Sequence, residues 1–218
     1  MKTCLINQPA GLGDIFFCQK IGYHYQKQGF EIIWPVKPVY SYLPEYLKNF
    51  IYPVEDISSF KNITSYLSLD GCTKNANEIM REKYKVAQVK EYQDWADYFT
   101  FERNFKREQK ILEHFDIKEG EKFNLINYNF ASPPNVEKID IKIKNNHRDI
   151  YMNFLGFDNI FDWCGIIEKA EEIHTVNTSI CYMIEKLKTT DKLFMYQRKY
   201  MKNWDYIDGI YKRPWSYS

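Results

Sequence analysis

No run of this 218-residue chain is apolar over the roughly twenty residues that a membrane-spanning helix needs. A basic region, apolar core and cleavage site are likewise missing at the N-terminus, which reads directly into a strand pattern. The expectation is a cytoplasmic protein with reduced thiols. In that setting the sequons Asn62-Ile63-Thr64 and Asn177-Thr178-Ser179 are accidental. An excess of one charge is also lacking. Thirty Lys and Arg against 29 Asp and Glu leave a net charge of +1. This gives no broad attraction to nucleic acid or to a membrane surface. The five cysteines are odd in number and never spaced C-x-x-C, which argues against a zinc site or a redox pair.

What is present is organised around the first thirty residues. Residues 3–7 (TCLIN) are a short apolar run, followed by QPAGLGD over residues 8–14. Ile15, Cys18, Ile21, Gly22 and Tyr25 then recur at helical spacing up to a stop at Gly29. Residues 30–36 (FEIIWPV) read as a second buried strand. Strand, glycine turn, helix and strand form a βαβ unit that starts a parallel sheet. Gly11 and Gly13 permit backbone angles closed to other residues and let a ligand approach the main chain. The helix start behind them offers amide groups and a positive dipole end. A dinucleotide fingerprint is excluded because Phe16 stands at the third glycine position, and no Lys-Ser/Thr follows as in a P-loop. Asp14 lies in the first helical turn, a place the dipole favours for any acid.

Residues 37–50 carry a helical stripe with Pro38 at its start, residues 51–54 a short strand, and residues 65–70 another strand ending at Gly71. Together these make a sheet of about four strands. Residues 78–115 form a long charged helical region that breaks near Phe101. Arg103, Lys106 and Arg107 either face a phosphate or form a solvated face with Glu102, Glu108 and Glu113. A charged turn around Gly120 marks a domain boundary. Residues 123–130 (FNLINYNF) are a strand running into a small-residue loop, with Asn127, Asn129 and Ser132 as candidate ligand contacts. Residues 136–144 alternate as a strand with one wet face, and His147 and Arg148 fall in a polar turn. Helix, strand and helix are expected over residues 161–170, 172–176 and 180–187. The turn Asn177-Thr178-Ser179 brings two hydroxyls to a helix start. That is either a generic anion pocket or an ordinary N-cap.

Two of these stretches carry a family likeness. Gly11-Leu12-Gly13-Asp14 resembles the turn after the first strand of the heptosyltransferase-like glycosyltransferases, glycosyltransferase family nine. The stretch Ala170–Tyr182 resembles that family's second motif, a strand, a D-T/S-G/S turn and a helix, with Asn177, Ser179 and Tyr182 where Asp, Gly and His are usual. The resemblance implies an α/β protein of two small Rossmann-like domains facing across a cleft, a compact GT-B-like plan. Residues 1–118 would be the acceptor-side domain. Residues 119–218 would be the nucleotide-sugar side, with the aromatic tail (Tyr200, Trp204, Tyr206, Tyr211, Trp215) crossing back. It implies a glycosyltransferase using a nucleotide-sugar donor and a glycan or lipid-linked sugar acceptor. Asp14 would be the catalytic base beside the acceptor-side loop Gly11-Leu12-Gly13. Asn177, Thr178 and Ser179, with Asn127 and Ser132, would lie at the donor. Neither a metal nor another cofactor is implied, in keeping with the lack of a D-x-D motif. The alternatives are a non-catalytic sugar- or nucleotide-binding protein of this fold, or one continuous-sheet α/β enzyme with a nucleotide at the Gly11 loop.

Overall fold

The computed structural model describes residues 2–54, 56–73, 75, 78–132, 135–153, 155–156, 158–198 and 203–218, the side chains of residues 130–132 and 135–138 excepted. The chain divides into two compact units, Met1–Glu102 with Asp205–Ile210, and Arg103–Trp204 with Tyr211–Ser218. The division falls at residue 102/103 rather than 118/119. The cause is the helix Phe105–His114, which packs on the Ile160–Trp163 and Cys164–Lys169 helices of the second unit.

In the first unit β1 (Lys2–Asn7) is flanked by β2 (Phe30–Ile33) and β3 (Ser65–Ser68), all parallel. Cys4, Leu5 and Ile6 are successive buried residues of the central strand, so it shows a continuous apolar run rather than alternation. The expected fourth strand is reduced to a bridge between Ile33 and Ile51, with the Val36 amide donating to the Pro53 carbonyl. Pro53 has no amide hydrogen of its own to continue a ladder.

The single helix expected after the glycine turn is two, α1 (Leu12–Phe17) and α2 (Gln19–Lys27), broken at Cys18. Residues 15–19 are all buried. Five successive buried positions do not fit one stripe of a straight helix. Phe16 stacks on Phe99 at 4.3 Å, and Phe17 contacts Tyr84 and Trp95. Gly29 ends α2 with φ +85°, as expected of a helix stop.

α3 (Leu43–Tyr46) follows a 3-10 turn begun by Pro38. The long charged region breaks twice, into α4 (Ile79–Val86), α5 (Trp95–Tyr98) and α6 (Phe105–His114). The first break follows α4, where Gln88 takes φ +56°. The tail segment Asp205–Ile210 belongs to this unit. Its carbonyls accept from Arg81 (2.9 Å to Asp205), Tyr92 (3.3 Å to Asp208) and Trp95 Nε1 (2.7 Å to Ile210).

In the second unit β4 (Phe123–Asn127) is the central, fully buried strand. A hairpin, β5 (Asn129–Ser132) and β6 (Asn135–Lys138), leads to β7 (Arg148–Tyr151). Then come α7 (Cys164–Lys169), β8 (Glu172–Val176), α8 (Ser179–Lys186), β9 (Leu193–Tyr196) and β10 (Trp215–Tyr217). The sheet order β10-β9-β8-β4-β7 is parallel throughout. Two features depart from the sequence reading. Residues 136–144 pair only as far as Lys138, and the polar turn expected over residues 145–149 gives way at Arg148 to a strand, Arg148–Tyr151. The three- and five-stranded sheets are separate, so the single continuous-sheet alternative falls.

His174 on β8 is buried, stacked on Phe194 at 4.5 Å and hydrogen-bonded to Tyr196 Oη at 3.0 Å. Burial holds its imidazole below the ordinary value, although Glu172, 3.3 Å from Nε2, acts the other way. The unfolded chain therefore binds a proton that the folded chain resists. The stability contributed is complete above about pH 6.5 and is lost as pH falls through the depressed folded value. The melting temperature is expected to fall from about pH 7 to about pH 5, and His174→Gln to flatten that fall. Equal slopes in the two proteins would assign the titration to another group.

Candidate functional site

The first unit builds its site at the C-terminal end of β1. Here the chain passes from β2 on one side to β3 on the other, the topological switch where open parallel sheets bind ligands. Gly11 sits before α1 with φ +76° and ψ +85°, and a Cβ there would collide with Asp14 Oδ2. Glycine is thus required twice, for its backbone angle and for the room it leaves the carboxylate. Gly13 is different. It lies inside α1 and is not among the residues of positive φ, so the freedom expected of both glycines is used by one.

The Tyr40 hydroxyl lies against the Gly11 and Leu12 amides. Burial pushes its pKa up while those amides act to lower it.

Asp14 is partly exposed, and its Oδ1 lies 3.1 Å from Lys83 Nζ. Lys83 is buried, with its side chain 1% exposed. It also donates to Gln8 Oε1 and, at 3.2 Å, to the Leu69 carbonyl. Burial acts to lower the Lys83 pKa, but Asp14, with contributions from Cys18 and Cys72, holds it above its ordinary value. In the sequence Lys83 is one cation of the charged run MREKYK, which hides its role. One signal was there. Met80, Lys83, Tyr84 and Ala87 are all buried, at the spacing of a single helical stripe.

The second unit's site lies at its own switch point, between the C-terminal ends of β4 and β8. Asn127 ends β4, and its Nδ2 donates to Thr175 Oγ1 at 2.9 Å and Thr178 Oγ1 at 3.0 Å. Asn127 is thus a strut that holds the turn. Thr178 precedes α8 in extended backbone and makes no side-chain cap, so the ordinary capping role is not the one observed. Buried Asn177 accepts from Tyr211 Oη at Oδ1 (2.8 Å) and from Arg198 Nε at its carbonyl (2.8 Å). Ser179 opens α8 half-exposed. The first amides of a helix lack partners within it and face outward. The arrangement is one hydroxyl held in place, one half-exposed, helix-start amides and a neighbouring guanidinium. It can take an anion. Arg198 follows β9 in a segment with no motif, so no local pattern announced it.

Other candidates lie elsewhere. Arg103 pairs with Glu108 and, at 2.6 Å, with Glu168, while Arg107 pairs with Asp162 at 2.9 Å. Both are thus held in ion pairs with acids of this unit rather than forming a plain solvated face. Arg148 pairs with Glu121 and donates to the Phe115 carbonyl, and half-buried His147 is in the adjoining turn. Asn129 donates to Asn153 at 3.2 Å. The Ser132 side chain and Tyr200 lie outside the described residues. Tyr182, at the place of the family's usual His, is buried against Tyr211 at 5.4 Å. Among the described residues no group of three or more His, Cys, Asp or Glu is arranged for a metal ion, and no helix is long and apolar enough to cross a membrane.

No protein-family model matches the sequence, and no curated protein matches it either. Solved structures do match the fold. The glycosyl transferase family 9 protein from Veillonella parvula DSM 2008 matches with a TM-score of 0.61 at 9% identity, over 100% of this chain and 86% of that one. The iron-containing dodecameric glycosyltransferase TibC from enterotoxigenic E. coli H10407 matches with a TM-score of 0.51 at 7% identity, over 90% of this chain and 58% of that one. At such identities the likeness concerns the fold: this chain has the two-domain, GT-B-like α/β plan of family nine glycosyltransferases, in a divergent sequence.

Proposed function

We propose that this chain is a glycosyltransferase that moves a sugar from a nucleotide-sugar donor to an acceptor hydroxyl without a metal ion. The observation that carries the reading is Asp14, a partly exposed carboxylate at a switch point, held by a buried lysine on a fold shared with sugar transferases. Asp14 accepts the proton of the acceptor hydroxyl as the new bond to the sugar forms. The bond from the sugar carbon to the diphosphate breaks, and its electron pair leaves with the nucleoside diphosphate. The α8 amides, Thr178, Ser179 and Arg198 take up that charge. The acceptor-side role belongs to the first unit and the donor-side role to the second. The acceptor is a glycan or a lipid-linked sugar. We place the reaction in the cytoplasm, in keeping with five free cysteines.

A thermal-shift screen of nucleotide sugars and nucleoside diphosphates tests this. A ligand at a hundredfold excess over its Kd stabilises the fold by about 2.7 kcal/mol. We expect one nucleotide class to raise the melting temperature and Ser179→Trp to abolish the rise. A shift with no turnover would make the chain a binding protein of the same fold. No shift with any nucleotide would remove the donor site from the second unit.

A further inference from the structure

Asp14 has two carboxylate oxygens in different settings. Oδ1 faces the buried Lys83 ammonium at 3.1 Å, while Oδ2 lies over Gly11, in the space a side chain there would fill. Lys83 is itself fixed from two further directions, by Gln8 Oε1 from the loop after β1 and by the Leu69 carbonyl just past β3. Two segments thus converge on one buried ammonium, and its third contact is the carboxylate. A lysine placed only to balance charge would stay at the surface, where its hydration is kept. This one stands on the buried stripe of α4 among Met80, Tyr84 and Ala87.

We infer that Lys83 is a positioning residue for the transfer reaction, holding Asp14 by Oδ1 so that Oδ2 is the oxygen that receives the acceptor's proton. The inference rests on the proposed glycosyl transfer. When the acceptor oxygen bonds to the sugar carbon, its proton passes to Oδ2, and Oδ1 keeps its contact with the ammonium. Gly11 completes the arrangement, because any side chain there would displace Oδ2. Gln8 and the Leu69 carbonyl stop Lys83 from following the carboxylate outward.

The test combines kinetics with a spectroscopic measurement. With the nucleotide sugar identified by thermal shift, nucleoside diphosphate release is followed in wild type, Lys83→Met and Lys83→Arg. Misplacement of a catalytic group by about 1 Å costs about 100-fold in rate. Lys83→Met is therefore expected to lower kcat about 100-fold with the donor KM unchanged, and Lys83→Arg to restore part of it. A Lys83→Met protein that keeps wild-type kcat would overturn the inference. So would a fall in kcat matched by a rise in donor KM, since that is what general disruption gives.

The second arm needs no turnover. In protein labelled with [13Cε]lysine, the Lys83 signal is followed against pH in wild type and in Asp14→Asn. A lower midpoint in the variant shows the pair in solution, and an unchanged midpoint removes the positioning role. If the wild type turns over no nucleotide sugar, the transferase reading fails by itself, and this arm still decides whether Lys83 holds Asp14.

Discussion

Asp14→Asn is expected to lower sugar transfer by about 10²- to 10⁴-fold, the range set by loss of a general base. Donor binding should survive, because the turn proposed to take the nucleotide is built from Asn127, Asn177, Thr178 and Arg198 in the other unit. The same substitution carries a stability signature. Asparagine can still accept a hydrogen bond, but the buried Lys83 ammonium loses its counter-charge. Asp14 is partly solvated, so the cost is at the modest end, about 1–3 kcal/mol. The pH dependence fixes its origin. In the wild type the Lys83 pKa is raised, so the stability it contributes is complete below its ordinary value of 10.5 and is lost as pH rises through the folded value. Without Asp14 the burial penalty on the charged form is no longer opposed by it. The gap between the two proteins in a urea titration is therefore expected to be widest at about pH 8 and to narrow at about pH 11. A gap of the same size at both pH values would mean that the substitution disturbs packing rather than this ion pair. Retained turnover in Asp14→Asn would remove Asp14 as the base.

How much of this could be read from the sequence follows from where each signal lives. The central strands β1 and β4 announce themselves, since a strand buried on both faces is a short, largely apolar run bounded by turns. Strand β7 does not. Only Ile150 of its four residues is buried, and its strand character comes from pairing with β4, more than twenty positions earlier in the chain. β10 is similar, a three-residue edge strand made by its register with β9. The division falls at residue 102/103 because Arg103 and α6 are tied within the second unit by ion pairs and packing that no local composition reports.

In the candidate sites, the strand-turn-helix settings of Gly11, Asp14 and residues 177–179 were legible because each spans only a few residues. Lys83 and Arg198 were not, because their meaning depends on residues about twenty to seventy positions away. A buried charge looks like a surface charge until its helix face is known. The chain around Lys83 contains three other cationic residues that the same reading would have treated alike.

The second large effect lies in that same class of misread charge. Arg107 offers the textual features of a phosphate ligand, but its Nε and Nη2 lie 3.0 and 2.9 Å from Asp162 Oδ2. The Asp162 side chain is 1% exposed, sits between the fully buried Phe161 and Trp163, and accepts from the Asn159 amide at 3.0 Å in a reciprocal capping box. Asp162→Ala therefore removes a counter-charge and a cap together. Breaking a buried pair costs about 3–5 kcal/mol, and a lost cap about 1 kcal/mol. Arg107 is about one-third exposed and can turn toward water, which discounts the first figure. The net expectation is a loss of about 3 kcal/mol, or roughly 6–12 °C in Tm for a chain of this size. Replacing both partners, as Asp162→Ala with Arg107→Leu, leaves no stranded charge and is expected to recover part of the loss, because the two sites couple. If the double variant instead loses the sum of the two single losses, the pair is not an interacting unit. Nucleotide binding by Arg107→Leu distinguishes the two roles of this arginine. Unchanged binding alongside lowered stability is the structural outcome, and weakened binding with an unchanged Tm would return Arg107 to the ligand.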